Sequence, residues 1–254
     1  MKFKFEQSDV LKNLVAAIKI LADEPTFNID SDGLTVRAMD PSRVAMIDLT
    51  VAKAVFAEFA CEKAIKLSFS MLEFDKLVKR AGKDDPVTVE FDEKTGKLKI
   101  TITGKYLREF TLPTLEPSDE TVPVPKITFN NKIRFIVSTL SQAIEDAQLA
   151  SDHTKISATP NGLAINAKGD VMTASANLTK DQGLLEIDVK EESASVFSLT
   201  YLMEMLKAIY LFAGIATLEL GWDLPFKMSC EKDSNIKVAY WLAPSLLVGS
   251  ENRE

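Results

Sequence analysis

Lys76, Lys79, Arg80 and Lys83 stand at i, i+3, i+4 and i+7, which on a helix makes a single basic stripe. No acid interrupts the run, and Met71, Phe74, Leu77, Val78 and Ala81 form an apolar stripe opposite it. Charge without base-reading amides or interleaved aromatics attracts a phosphate backbone independently of sequence. Three more amphipathic segments carry cations. Lys12 and Lys19 accompany Leu11, Leu14, Val15, Ile18 and Leu21, with Ser8 expected as the N-cap. Lys132 and Arg134 accompany Ile133, Ile136, Val137, Leu140 and Ile144, and Lys207 accompanies Leu202, Met205, Leu206 and Ile209.

Other groups able to do chemistry are dispersed. His153 is the only imidazole, and Cys61 and Cys230, separated by 168 residues, have no evident base partner. Two isolated thiols fit a reducing cytosol. Asn28, Asp30, Asp32 and Gly33 imitate the start of a calcium loop, but the twelfth position, where a bidentate acid belongs, is Met39. No phosphate-binding loop, dinucleotide fingerprint or nucleophile elbow occurs. The expectation is a protein that is not an enzyme and uses no metal or cofactor.

These residues need elements to position them. The chain has 254 residues with 30 Lys and Arg against 37 Asp and Glu, a net charge of −7 that by itself argues against nucleic acid. Segment by segment the balance differs. Residues 9–20 carry +1, residues 70–83 and 131–144 carry +2 each, and residues 199–210 are neutral, so the expected helices are basic and the remainder carries −12.

A self-comparison shows a faint ordered repeat. Gly33–Val36 lies over Gly162–Ile165, Asp48–Thr50 over Asn177–Thr179 and Val87–Phe91 over Ala216–Leu220, each displaced by 129 residues. The Pro-rich acidic stretch 115–126 separates the copies as an extended connector. The domains expected are therefore 1–114 and 127–254. Alternating segments include 34–39, 44–51, 65–70, 87–91, 97–103 and 106–112, with counterparts at 163–166, 171–179, 195–199, 216–220, 226–230 and 236–242. The fold class expected is α+β: two similar β-rich domains, each with two amphipathic helices on an antiparallel sheet. The N-terminus lacks an apolar leader and no run is long enough to span a membrane, so the expectation is a cytoplasmic protein without membrane contact.

The stretch from Asp32 to Met46, with Asp32-Gly33-Leu34, Met39-Asp40 and Val44 at fixed spacing, resembles the D-G-L-x-x-x-x-M-D-x-x-x-V segment of the proliferating cell nuclear antigen family. The Val122-Pro123 pair and the terminal Leu242-Ala243-Pro244 fit the same family, and the short loops are similar to its archaeal branch. The resemblance implies a sliding clamp: a head-to-tail ring of three subunits that encircles double-stranded DNA and tethers polymerase, clamp loader, nuclease and ligase clients through short peptide motifs. It places Lys12, Lys19, Lys76, Lys79, Arg80, Lys132, Arg134 and Lys207 towards DNA. A partner-peptide pocket is implied at Met39, Arg43, Val44, Met46, Val122, Pro225, Ala243 and Pro244. The subunit seam is implied at Arg80, Lys83, Tyr106, Arg108 and Phe110 on one side and Glu145, Asp146, Thr173, Ser175 and Asn177 on the other, with ion pairs across it. The alternative of another class is a scaffold of the same fold that does not encircle DNA, or a specialised heterotrimer subunit.

Overall fold

The computed structural model describes residues 1–118 and 122–245. The first copy of the repeat runs β1 (Lys2–Phe5), α1 (Ser8–Lys19), β2 (Thr26–Asp30), β3 (Gly33–Met39), β4 (Ala45–Ala52) and β5 (Glu58–Ala60). It continues with β6 (Ile65–Ser68), α2 (Met71–Val78), β7 (Val87–Asp92), β8 (Lys97–Thr103) and β9 (Leu107–Pro113). The second runs β10 (Asn131–Ile136), α3 (Val137–Gln148), β11 (His153–Thr159), β12 (Gly162–Lys168), β13 (Thr173–Leu178) and β14 (Leu184–Val189). It closes with β15 (Ser193–Ser198), α4 (Leu199–Tyr210), β16 (Ile215–Leu220), β17 (Phe226–Lys232) and β18 (Ile236–Leu242). The chain divides into two compact units, Met1–Val124 with Lys232–Val238, and Pro125–Glu231 with Ala239–Glu254.

In the first copy β5-β1-β7-β8-β9 form a five-stranded antiparallel sheet, and β4-β3-β2-β6 follow one another in a second. The second copy repeats both orders as β14-β10-β16-β17-β18 and β13-β12-β11-β15. Strict alternation explains the sheets. In β8, Leu98, Ile100 and Ile102 are buried while Lys97, Lys99 and Thr103 are exposed, as period 2 requires of a strand with one face on a core. The helices cover the inner faces. Leu11, Leu14, Val15 and Ile18 of α1 join Met71, Phe74 and Val78 of α2 among the buried side chains, with Phe5, Val89 and Ile100 of the sheet. Each such aliphatic or aromatic side chain contributes about 1.5–3 kcal/mol on burial.

Three expectations need correction. Residues 131–136 are a strand, so α3 begins only at Val137, and Lys132 and Arg134 lie on β10. Ile133 and Phe135 point inwards there, and β10 is paired on both sides, by β14 and β16. Paired neighbours satisfy the backbone of β10 as a ladder, which outweighs the helical spacing of Ile133, Ile136 and Val137. Ser8 is the first helical residue rather than the cap: it is fully buried, and its hydroxyl donates to the carbonyl of Gly82 at 2.5 Å. With true boundaries the four helices hold four lysines (Lys12, Lys19, Lys76, Lys207) against six acids (Asp9, Glu73, Asp75, Glu145, Asp146, Glu204). The basic excess expected of the helices is therefore absent from α3. It gathers just beyond the end of α2, at Lys79, Arg80 and Lys83.

Candidate functional site

The cations implied for DNA in the first unit, Lys12, Lys19, Lys76, Lys79 and Arg80, lie on α1, on α2 and just past the end of α2. Asp75, nearly buried within α2, accepts from Lys19 and Lys79, each at 2.7 Å. Burial pushes its carboxyl up, but the hydrogen bonds from Lys19 and then Lys79 outweigh that and hold it below the usual carboxylate value. Lys12 donates to the carbonyl of Ala81 at 2.8 Å, close to the end of α2. Lys76 pairs with Glu73 at 2.6 Å, whereas Arg80 and Lys83 are exposed. In the second unit Lys207 pairs with Glu204 at 3.2 Å and Arg134 with Glu186 at 2.6 Å, while Lys132 stands opposite Asp188 on β14.

Among the described residues the sheets end in β5, β6, β9, β13, β14 and β15, and two of these edges carry the residues implied for a seam. β9 pairs only with β8, and β13 only with β12. Around β9 stand exposed Tyr106 and Leu107, half-buried Phe110, and the cations Arg80 and Lys83. Around β13 stand exposed Thr173, Ser175 and Asn177, the apolar Val171, Met172 and Leu149, and Glu145 and Asp146 at the end of α3. Arg108, expected at the seam, already has partners within its own chain. It is tied to Asp85 at 2.6 Å and to the carbonyl of Arg80 at 2.5 Å.

Asp40 builds the turn that follows β3. Its buried carboxylate accepts from the backbone N–H groups of Ser42, Val44 and Ala45 at 3.0, 2.9 and 2.7 Å. Arg43 takes a left-handed conformation at φ 57°, and Val44 is left 37% exposed at the surface. Met39 at the end of β3 is half-buried, but Met46, opposite it on β4, is only 3% exposed and belongs to the core. The connector is stitched along this sheet. Leu115 donates to Ser68 at 2.7 Å, the N–H of Ser118 to Thr26 Oγ1 at 3.2 Å, and Arg37 to the carbonyl of Val122 at 3.4 Å. In the second unit Pro225, Ala243 and Pro244 are half-buried.

The first copy matches the family model described as proliferating cell nuclear antigen, N-terminal domain, over residues 1–111, and the second matches its C-terminal domain over residues 123–245. The chain belongs to the proliferating cell nuclear antigen family. Relatives include a DNA polymerase sliding clamp of Thermococcus fumicolans, 33% identical over 94% of this chain and 96% of its own. DNA polymerase sliding clamp 1 of Pyrobaculum aerophilum is 32% identical over 91% and 92%. The fold is shared with PCNA of Thermococcus kodakaraensis, TM-score 0.89 at 24% identity over 96% of this chain and 99% of that one. A chain of the PCNA2–PCNA3 complex of Sulfolobus tokodaii gives 0.87 at 25% identity over the same shares. This is a family of non-enzymatic DNA sliding clamps, ring-forming multimers that work with DNA and a polymerase, and that is the function of this clamp.

Asp30 and Asp32 sit on the β2–β3 hairpin, where Asp30 accepts the N–H of Asp32 at 2.8 Å. Cys230 is buried, and burial, then Glu231, pushes its thiol up to about 12, an unreactive state. The seam residues that the resemblance implies lie along these two edges, and Asp40 lies in the segment that carries the resemblance, but its part in building the turn had no signal of its own. An Asp-Pro-Ser run is a turn-former, and it pointed to the loop without showing that the carboxylate would hold three N–H groups.

Proposed function

We propose that the clamp is a homotrimer in which β9 of one copy pairs with β13 of the next, closing head to tail around duplex DNA. The observation that carries this reading is that two of the edge strands, β9 of seven residues and β13 of six, stand beside groups of opposite charge in one chain. An exposed edge is a liability until covered or paired, and a heterologous contact with three-fold closure gives a ring rather than a filament. Charge supports the pairing, with Arg80 and Lys83 beside β9 and Glu145 and Asp146 beside β13. Tyr106, Phe110, Thr173, Ser175 and Asn177 are the other seam residues proposed. Arg108 acts by positioning β9 rather than by pairing across the seam.

Lys12, Lys19, Lys76, Lys79, Arg80 and Lys207 are the groups we assign to DNA. Lys132 and Arg134, on the face of β10 away from the core, drop out. Met39, Arg43, Val44 and Val122, with Pro225, Ala243 and Pro244, are assigned to client peptides of polymerase, clamp loader, nuclease and ligase, and Met46 supports them from the core. The clamp domains are taken as 1–114 and 127–254, joined by 115–126, and the site of action as the nucleoid in the cytoplasm. Light scattering tests the assembly: a particle of three times 28.1 kDa is expected. A monomer that assembles only with sister chains would establish a heterotrimer instead. Retention on DNA tests the topology. Loaded clamps should persist on closed circles and leave linear ends, and equal loss from both would overturn the encircling reading.

A further inference from the structure

The face of the β13-β12-β11-β15 sheet that points away from α3 and α4 holds a depression of about 770 Å³ within the second unit. Its walls carry Ser151, His153, Lys155, Asn166, Lys168 and Thr173. Strand register brings these together. Lys155 pairs with Asn166, and Lys168 with Thr173. Side chains two apart on a strand share a face, and diagonal neighbours on adjacent strands are about 7–8 Å apart. His153 and Lys155 therefore stand beside Asn166 and Lys168 on one surface.

Two observations give this depression a chemical preference. First, its nitrogen-bearing side chains are uncommitted: among the described residues, those of His153, Lys155 and Lys168 have no acid or hydrogen-bond partner. The outward face of the β5-β1-β7-β8-β9 sheet is the opposite case. There Lys2 meets Glu58 at 3.3 Å and Glu90 at 3.6 Å, and Lys99 meets Glu109 at 2.5 Å. Second, Asn166 is oriented. Its Oδ1 accepts from the hydroxyl of Ser175 at 2.8 Å, which leaves its NH2 group, a double donor, for the depression. The rim is fixed as well, because a Cβ at Gly169 would collide with the carbonyl oxygen of Ala150. Asp170, the one acid on the lining, sits on this rim.

We infer that this depression binds a phosphoryl group. Ammonium, imidazole, amide and hydroxyl donors converging on one face match an acceptor-only, multiply charged oxyanion. The site lies on the sheet face, and side chains stand perpendicular to the strands. Thr173 and Ser175 of β13 belong to both the depression and the proposed seam, whereas His153, Lys155, Asn166 and Lys168 stand on β11 and β12, so pairing along the β13 edge leaves these donors in place.

His153 is the only histidine of the chain, so its imidazole resonance reports on this site alone in the full-length protein. Orthophosphate, exchanged for chloride at constant pH and ionic strength, should shift that resonance with saturation. In the Lys155→Gln, Lys168→Gln double variant the affinity should fall about tenfold or more, with mass and retention on circular DNA unchanged. A wild-type shift that does not saturate, or one that the double variant preserves, would overturn the inference. O-phosphoserine peptide and a short DNA duplex separate the sources. Saturation by the peptide and orthophosphate supports a phosphorylated partner, whereas a response to the duplex alone replaces the phosphoryl pocket with a DNA-backbone contact.

Discussion

Arg108 and Asp85 tie the open strand β9 to the turn that follows α2, with Nη2 and Oδ2 2.6 Å apart. The second guanidinium arm donates to the carbonyl of Arg80, and the same group lies 5.3 Å from the centroid of the Tyr106 ring. Asp85 is in turn held by the N–H of Gly82 at 2.9 Å. One guanidinium thus fixes the edge, the turn and an exposed aromatic ring.

Arg108→Ala and Asp85→Asn should therefore loosen assembly without removing a seam contact, raising the apparent trimer dissociation constant about tenfold by sedimentation. The backbone N–H of Gly82, and then Arg108, hold the Asp85 carboxyl below its ordinary value. A depressed folded value means that this contribution is complete above about pH 4 and is lost only on further acidification. Between roughly pH 5 and 8 assembly should not vary on account of this pair.

Asp75 holds one lysine from each of two helices, so Asp75→Asn should have two opposed effects. Thermal unfolding should show a loss of about 1–2 kcal/mol, because the lysines are partly solvated and the full cost of a buried broken pair does not apply. Affinity for free duplex at low salt should rise, since Lys19 and Lys79 lose their counter-charge. Acid acts in the same direction as the substitution: the carboxyl is depressed, so its stabilisation is lost as pH falls below the normal carboxylate range.

Lys76→Gln with Lys79→Gln should weaken DNA binding uniformly across sequences and reduce the slope of log affinity against log salt by about 2. Lys132→Gln with Arg134→Gln should leave that slope unchanged, because both groups sit on β10 opposite acids of β14. Filter binding across a salt series separates the two pairs.

Val44→Glu should weaken a client peptide by tenfold or more while leaving mass and melting nearly unchanged, since Val44 is at the surface. Met46→Ala should instead cost about 2–4 kcal/mol of stability as a core truncation. Peptide fluorescence anisotropy and thermal melts together distinguish surface from support.

Much of this was legible from spacing alone. The displacement of 129 carries β3 onto β12 and β8 onto β17, and it also carries α1, Ser8–Lys19, onto α3, Val137–Gln148. The same shift lays β1 onto the start of β10, so the repeat held the correction that local periodicity missed. Lys132, Ile133, Arg134 and Phe135 satisfy a two-residue period, and Ile133, Ile136 and Val137 a helical one. Only pairing with β14 and β16 decides between them, and those partners lie tens of residues away. The ties from the connector to Ser68, Thr26 and Arg37 were not legible, because a Pro-rich segment has no period to reveal its neighbours. The internal engagement of Arg108 was hidden for a similar reason: 23 residues separate it from Asp85.

The open ladders of β9 and β13 have a consequence for the newly synthesised chain. Until both are capped, each is a template that accepts any strand of compatible register. The orphan subunit is therefore the vulnerable species, and dilution exposes it. On the seam proposed above, a peptide copying Thr173–Leu178 should occupy β9 and act as a chain terminator, poisoning closure from one end.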